Sequence, residues 1–231
     1  MEQLAISDGT IMSAYVSPPR GKPNGAGMLV FQEAFGVNAY IRDIADRFAA
    51  LGFTALAPEL FHRTGPGFEG SYDDFEAVRP HVSALKTPDL EADVRAAFDR
   101  LSSIDGVDPD RVAAIGFCMG GRVSYIANAT VRLRAAVSYY GSVPPDLLDL
   151  AQRQHGPLLM YWGGKDKHIT PDHYRAVADA LSQHGKLHEQ VVFSQADHGF
   201  FCDRRSSYEP GAAVQSWALT QEFLRVFGVY A

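Results

Sequence analysis

The sequence lacks the features that would place the protein in a membrane, in a disulfide scaffold or on nucleic acid. Its 231 residues include two cysteines, too few for a disulfide framework. No apolar run approaches the roughly 20 residues of a membrane span, and the first residues lack the basic and apolar regions of a signal peptide. Acidic residues outnumber basic ones by 27 to 21 and no basic run is present, which argues against nucleic-acid or anionic-membrane partners. We therefore expect a cytoplasmic protein that acts on small molecules.

The length and composition are those of an ordinary folded domain. Apolar residues make up 46% of the chain and charged residues 21%, a balance that allows a sizeable buried core. α/β folds commonly reach this length as one unit, and no repeat, low-complexity tract or linker divides the sequence. We predict one domain over residues 1–231, acting as a monomer or a simple homo-oligomer.

Short apolar runs typical of strands alternate with stretches of helical spacing. An opening hairpin is predicted from residues 4–6 and 11–16, with its turn at Asp8-Gly9. Further strands are predicted at 26–31, 53–57, 111–115, 133–139, 157–162 and 189–193, and helices at 40–51, from 87, after 118, at 171–184 and at 211–227. The least regular stretch, 71–85, is interpreted as a partly helical lid. The alternation predicts an α/β fold with a mostly parallel central sheet and helices on both faces.

The most informative motif follows the predicted strand at 111–115. It reads Gly116-Phe117-Cys118-Met119-Gly120-Gly121, or G-x-C-x-G with cysteine at the centre. A sharp turn from strand to helix exposes the central side chain, and the flanking glycines leave room for that turn. The N-terminus of the following helix favours the thiolate, which is the nucleophilic form. Cys118 is therefore a candidate nucleophile, although free cysteines often only pack in a core.

Two further polar residues follow later strands. Asp166 ends the run Gly-Gly-Lys-Asp after the strand at 157–162, and His198 lies in Asp-His-Gly-Phe after the strand at 189–193. Because loops at the carboxyl ends of parallel strands meet at one edge of a sheet, we expect both residues beside Cys118. The chain order of nucleophile, acid and histidine is that of α/β-hydrolases.

Other interpretations exist for both residues. Asp166 also suits a solvated turn, and Asp172 competes as the acid of the trio. Asp172 fits better in the first turn of a helix, because Thr170-Pro171 reads as an N-cap followed by proline at the first helical position. His198 has the alternative of an ordinary loop histidine.

Four motifs in order give the chain a close resemblance to the dienelactone hydrolase family, also called carboxymethylenebutenolidase. Three are those just described: Gly-Phe-Cys-Met-Gly-Gly, Gly-Gly-Lys-Asp and Asp-His-Gly-Phe. The fourth, Gln32-Glu33-Ala34-Phe35-Gly36-Val37-Asn38, looks like the family motif Q-E-x-F-G-x-N. The resemblance spans nearly the whole chain.

The resemblance implies an α/β-hydrolase fold and hydrolysis of an unsaturated lactone to a keto acid. It also implies a triad of Cys118, His198 and Asp166, with Glu33 beside the thiol. His198 would act as the base and then protonate the leaving oxygen, while Asp166 would fix its tautomer. We expect Glu33 to help set the ionisation of the thiol, with substrate binding rearranging their contact; an ordinary surface carboxylate is the alternative.

The tetrahedral intermediate of such a reaction needs an oxyanion hole. The backbone N–H of Met119, directly after the nucleophile, is one predicted donor. The second would come from the loop after the strand at 26–31, where Ala34 is the best candidate.

Substrate contacts are predicted less directly. Arg79, Arg204 and Arg205 are candidate clamps for a substrate carboxylate, because guanidinium groups bind carboxylates bidentately. Their alternative is a solvated surface charge. Phe35 and Trp162 fall near predicted strand ends and are candidates for an apolar pocket wall, with core packing as the alternative.

No metal and no cofactor are predicted. His184 and His188 have a spacing that suits a metal, but Gly185 interrupts the helix that would align them. Cys202 stands four residues after His198, where the resemblance implies an arginine, and is expected to pack as a small residue.

The function predicted from the sequence is hydrolysis of a small lactone or activated ester through a cysteinyl acyl-enzyme. A broader carboxylesterase or thioesterase without lactone preference is one alternative. A non-hydrolytic protein that uses Cys118 as a redox sensor is another, because exposed thiols of low pKa are the ones that oxidise. A sensor, however, has no need of Asp166 and His198 in hydrolase order.

Overall fold

A computed structural model describes residues 1–231 as eight strands and six α-helices. The strands are β1 (Glu2–Ala5), β2 (Ile11–Ser17), β3 (Gly27–Phe31), β4 (Thr54–Pro58), β5 (Val112–Phe117), β6 (Ala135–Tyr139), β7 (Leu158–Gly163) and β8 (His188–Phe193). The helices are α1 (Ala39–Ala50), α2 (Phe75–Ala84), α3 (Thr87–Ser102), α4 (Met119–Thr130), α5 (Pro171–Gln183) and α6 (Pro210–Val226). None of the helices combines the length and apolar character needed to cross a bilayer.

All eight strands form one sheet in the order β1-β2-β4-β3-β5-β6-β7-β8. The β1–β2 and β2–β4 pairs are antiparallel and the remaining pairs are parallel. Every residue of β3 to β7 is buried, as expected for parallel strands covered on both faces. The predicted α/β-hydrolase fold with a mostly parallel sheet is therefore confirmed.

Adjacent residues of β5 show that helices cover both faces of the sheet. The ring of Phe117 packs against Tyr40 of α1 with centroids 5.8 Å apart. A side chain on the preceding residue, Gly116, would instead meet the backbone of Gly120 in α4. Because side chains alternate along a strand, α1 and α4 lie on opposite faces. Helix α6 shares the face of α1, since Tyr139, the register partner of Phe117, bonds Thr220 of α6 through its hydroxyl at 2.9 Å.

The order of the strands determines where a site can form. The chain runs outward from β3 to β4 on one side and from β5 to β8 on the other. The carboxyl ends of β3 and β5 therefore flank the point where the order reverses, which is where open α/β sheets bind ligands. Glu33 follows β3 and Cys118 follows β5.

The irregular stretch 71–85 contains helix α2, consistent with the predicted lid segment. Two 3₁₀ segments were not predicted, and the first is the short Pro109–Arg111 before β5. Residues Pro145–Arg153 form a 3₁₀-helical stretch, and the sequence there offers only Pro144 and Pro145 as a starting signal.

Candidate active site

Cys118 occupies a strained turn between β5 and α4. Its backbone has φ 54° and ψ −116°, in the left-handed half of conformational space that non-glycine residues rarely adopt. Such a conformation costs on the order of 1–3 kcal/mol and persists where the surroundings impose it. Side chains at Gly116 or Gly120 would overlap backbone atoms of Gly120 or Phe31, respectively, so these positions have no room for a Cβ. Both glycines thus permit the turn that presents the thiol.

The thiol, an imidazole and a carboxylate form a continuous chain of contacts. His198 Nε2 lies 3.0 Å from Cys118 Sγ, and His198 Nδ1 lies 2.7 Å from Asp166 Oδ2. The second oxygen, Asp166 Oδ1, accepts backbone N–H bonds from His168 and Ile169 at 2.8 and 3.1 Å. Asp172 is exposed in the first turn of α5 and pairs with Arg175. Asp166 is therefore the acid that the fold brings to His198.

The charges around His198 favour the protonated form of its imidazole. Burial by itself lowers the pKa of His198, but the neighbouring Cys118 and Asp166 overcome that effect and raise it to about 10. Burial raises the pKa of Asp166, yet the hydrogen bonds from His198 and from the two backbone N–H groups hold it below its usual value. A positively charged His198 lies 3.0 Å from Cys118 Sγ, which is the kind of neighbour that activates a cysteine nucleophile.

Two backbone N–H groups are available beside the thiol. Met119 is the first residue of α4, so its N–H has no carbonyl partner within the helix. The N–H of Ala34, in the loop after β3, makes no backbone hydrogen bond. Both residues line the same small cavity as Cys118.

Glu33 is buried and bonds an arginine rather than the thiol. Its Oε1 accepts a hydrogen bond from Arg205 Nη1 at 3.1 Å, while its Oε2 is buried without a partner. No hydrogen bond joins it to Cys118, which differs from the contact that the family resemblance implied. Burial raises the pKa of Glu33, although Arg205 and His198 oppose that shift. The guanidinium of Arg205 that bonds Glu33 also lies over the ring of Phe35, with its Cζ 5.8 Å from the ring centroid.

Two cavities open on either side of His198. The first, which we call the thiol cavity, has a volume of about 180 Å³. Most of its lining side chains are apolar or aromatic, including Phe75, Val82 and Tyr140 beside Cys118, and its polar lining includes Arg122 and Ser142. The second, the polar cavity, has a volume of about 340 Å³ and is lined by Tyr72, Lys167, His168, Arg204, Arg205 and Ser207, among others. His198 contributes to both walls.

Comparison with known proteins identifies the family. A model of the dienelactone hydrolase family matches residues 12–228. The chain belongs to the dienelactone hydrolase family. It is accordingly a hydrolase of ester or lactone bonds.

Individual relatives match almost the whole chain. A Synechocystis sp. protein named "Putative carboxymethylenebutenolidase" is 30% identical over 93% of this chain and 91% of its own. A Bradyrhizobium sp. protein named "Probable 2-oxo-3-(5-oxofuran-2-ylidene)propanoate lactonase" is 28% identical over 95% of this chain and 91% of its own. The crystal structure of a "Putative Dienelactone Hydrolase" from Klebsiella pneumoniae has a TM-score of 0.87 at 31% identity and covers 97% of each chain.

The substrate contacts predicted from the sequence divide into two groups. Arg204 and Arg205 line the polar cavity, as expected for groups near the site. Arg79, Phe35 and Trp162 do not line either cavity, which corrects the expectation for all three.

The physical reasons for these corrections lie in packing. Arg79 is exposed on α2 and pairs with Glu76 one turn away. Phe35 is buried against Tyr72, with ring centroids 4.5 Å apart. Trp162 is fully buried at the end of β7, and its ring stacks on Tyr174 of α5 at 5.9 Å.

The site residues predicted from the sequence did not include three polar residues of the thiol cavity, Arg122, Tyr140 and Ser142. Arg122 lies one helical turn after Cys118 in α4, and Tyr140 follows β6 with φ 40°. The signal for Arg122 was its spacing of four from the nucleophile, which places it on the same side of the helix. Tyr140 directly follows the last residue of a buried strand, but its strained backbone has no sequence signature.

Replacing Glu33 with glutamine should remove a pH-dependent loss of stability. The pKa of Glu33 is raised in the folded state. Its contribution to the free energy of unfolding is therefore fully present below the pKa of the unfolded state and is lost as pH rises through the pKa of the folded state. We expect the free energy of unfolding of the wild type to fall relative to Glu33→Gln as pH rises upward from about 4.5, the unfolded value. Urea denaturation of both proteins, repeated at intervals of about one pH unit between pH 4 and 8, measures the difference in their free energies of unfolding.

A matched control for this experiment is Glu222→Gln. Glu222 is an exposed carboxylate that pairs with Arg225 near the end of α6, so it reports the loss of an ion-paired carboxylate without burial. A stability difference between wild type and Glu33→Gln that stays constant across the pH range would contradict the prediction.

Proposed function

We propose that this protein cleaves small lactones or activated esters through a cysteinyl acyl-enzyme on Cys118. The observation that carries the proposal is the contact chain from Cys118 Sγ to His198 at 3.0 Å and from His198 to Asp166 at 2.7 Å. A nucleophile, a base and an orienting acid in mutual hydrogen-bond reach are what covalent acyl transfer requires.

The first half of the reaction would form the thioester. The Cys118 thiolate attacks the substrate carbonyl, and negative charge develops on the carbonyl oxygen. The backbone N–H groups of Met119 and Ala34 would stabilise that charge, each donor contributing about 3–4 kcal/mol by analogy with other oxyanion holes. The protonated His198 then gives its proton to the departing ring or ester oxygen.

The second half would release the acid. With its proton gone, His198 accepts one from a water molecule, and the resulting hydroxide attacks the thioester carbonyl. Collapse of the second tetrahedral intermediate expels the Cys118 thiolate and releases the carboxylic acid, while His198 keeps the proton it took from water, as at the start of the cycle. For an enol lactone, the oxygen released in the first half becomes an enol and then a ketone, so the product is a keto acid.

Glu33 and the two arginines of the polar cavity would act around this centre. The charge of His198 acts on Glu33 and lowers its pKa, so the two groups are close. A move of the Glu33 carboxylate from Arg205 toward Cys118 would change the ionisation of the thiol. Such a move would free Arg205, which lines the polar cavity with Arg204, to bind an anionic leaving group.

A preference for lactones is supported by the name of the Bradyrhizobium relative, a lactonase, and by the limited size of the thiol cavity. The test is a panel of lactones, aryl esters and thioesters assayed with the wild-type protein. We expect kcat/KM for an unsaturated lactone to exceed that for open-chain esters by about a hundredfold or more, since a ring has fewer rotatable bonds to immobilise on binding than an open-chain ester.

The same panel tests the covalent step. Acid quenching during turnover of a slow ester, followed by mass spectrometry, should show an acyl group on the peptide that contains Cys118. Equal rates on lactones and open-chain esters would favour a general carboxylesterase or thioesterase. Absence of turnover on every member of the panel would contradict the proposal.

A further inference from the structure

Arg122 is the only lysine or arginine that lines the thiol cavity. It lies in the first turns of α4, four residues after Cys118, so about 6 Å of helix rise separates the two backbone positions. The other lining residues near it, Phe75, Val82 and Tyr140, are apolar or aromatic. A cation on this wall therefore faces the space beside the nucleophile.

No group of the protein neutralises Arg122. Its Nε is buried without a hydrogen-bond partner, and no carboxylate forms an ion pair with its guanidinium. Burial lowers the pKa of Arg122, and the more distant charges of Cys118 and Asp146 oppose that shift without contacting it. An unpaired, partly desolvated guanidinium is costly to a fold and is usually explained by a ligand that pairs with it.

The same wall holds a second unpartnered polar atom. The hydroxyl of Tyr140 is buried and makes no hydrogen bond, and Tyr140 is one of only two non-glycine residues with positive φ in the chain. The other is Cys118. Strained residues with unsatisfied polar atoms cluster at ligand sites, so Tyr140 and Arg122 mark one side of the thiol cavity as a binding surface.

The arginines on the other side of His198 differ in this respect. Arg205 bonds Glu33 at 3.1 Å, and Arg204 lies 3.5 Å from Asp203. Their charges are thus partly neutralised within the protein, whereas that of Arg122 is not.

We propose that Arg122 is a specificity-determining residue that binds a carboxylate on the acyl half of the substrate. This rests on the proposed function, since it assumes that the acyl group occupies the thiol cavity while it is bound to Cys118. The planar guanidinium pairs with a carboxylate through two parallel hydrogen bonds. A short chain between that carboxylate and the reacting carbonyl would let one substrate reach both Arg122 and Cys118, which line the same cavity.

The test compares two esters of equal chain length. One is the para-nitrophenyl half-ester of glutaric acid, which carries a carboxylate, and the other is para-nitrophenyl pentanoate, which does not. We expect Arg122→Met to lower kcat/KM for the half-ester by at least about 30-fold, mainly through KM. The loss on the pentanoate should be at least about ten times smaller, and Arg122→Lys should fall between wild type and Arg122→Met because it keeps the charge but not the planar fork.

Arg225→Met serves as the matched control, because Arg225 is an exposed arginine at the end of α6 that pairs with Glu222. It removes the same charge and side chain far from either cavity wall. Equal losses on the two esters in Arg122→Met would show that the arginine acts on the Cys118 thiolate instead, and would overturn the proposal. An unchanged preference between the esters would overturn it as well.

A binding measurement separates this inference from the proposed chemistry. Glutarate binding is measured by calorimetry in Cys118→Ala and in Cys118→Ala/Arg122→Met, and we expect at least about tenfold weaker binding in the double variant. If the wild type hydrolyses no ester of the panel and glutarate binding still depends on Arg122, the result supports the carboxylate site and contradicts the acyl-enzyme proposal. If the wild type hydrolyses esters but glutarate binds equally well to the two variants, the acyl-enzyme proposal is supported and the carboxylate site at Arg122 is overturned.

Discussion

Replacement of Cys118 by alanine is expected to lower kcat for ester and lactone hydrolysis by at least about 10⁴-fold. The fold offers no second nucleophile within reach of His198 Nε2, whose contact at 3.0 Å is with Cys118 Sγ. Without the thiolate, the oxyanion donors and the cavity walls can still bind substrate, so KM should change far less than kcat. Steady-state kinetics on the best substrate of the panel measures both constants.

Cys118→Ser provides the matched variant for this prediction. It keeps the size of the side chain and a nucleophilic oxygen at the same strained turn, but a hydroxyl gives up its proton far less readily than a thiol. Activity above that of Cys118→Ala, yet below wild type, is expected. A folded Cys118→Ala protein that retains activity within about tenfold of wild type would place the nucleophile elsewhere and revive the redox interpretation of this cysteine.

Replacement of Asp166 by asparagine is expected to lower kcat by about 10⁴-fold, the size of effect seen when the acid of a triad is made neutral. Asp166 holds Nδ1 of His198 as a donor at 2.7 Å, and an amide can present its NH₂ there and stabilise the wrong tautomer. The carboxylate is also one of the two groups that raise the pKa of His198 to about 10. In Asp166→Asn this pKa should fall, so the alkaline limb of kcat/KM moves to lower pH.

Asp172→Asn is the control for that experiment, because Asp172 is the other acid that the sequence offers in this region. It is exposed in the first turn of α5 and bonds Arg175 at 3.2 Å, away from His198. We expect its activity to stay within about twofold of wild type and its pH profile to be unchanged, as for an exposed ion pair. A large loss in Asp172→Asn, with Asp166→Asn near wild type, would reverse the assignment.

The contrast between Asp166 and Trp162 shows what the sequence could predict. Asp166 and His198 were predictable because each follows an apolar strand, and parallel strands deliver their carboxyl ends to one edge. This argument concerns the backbone and needs no knowledge of side-chain direction. The fold class was predictable for the same reason, from the alternation of strand and helix patterns.

Trp162 also lies near the end of a strand. The prediction that it lines the pocket was wrong, because the direction of one side chain depends on tertiary packing. α5 covers it, and nothing in the local sequence says which strand-end aromatic a helix will cover. Glu33 illustrates a second limit. Its burial and its pairing with Arg205, 172 residues away, depend on a loop whose path the sequence does not reveal. Arg122 was overlooked although helix geometry alone places it near Cys118.

Because His198 lines both cavities, the acyl portion and the leaving group of a substrate are expected to separate differently in esters and in lactones. Under the proposed mechanism, the acyl portion of an open-chain ester would stay in the thiol cavity, and its alcohol would leave through the polar cavity. A lactone has no separate alcohol: after ring opening, the freed oxygen remains tethered to the thioester and can re-close on it. Rearrangement of that oxygen from enol to ketone would remove the internal competitor. Substrates whose freed oxygen cannot rearrange in this way are then expected to turn over with wasted cycles of opening and closing.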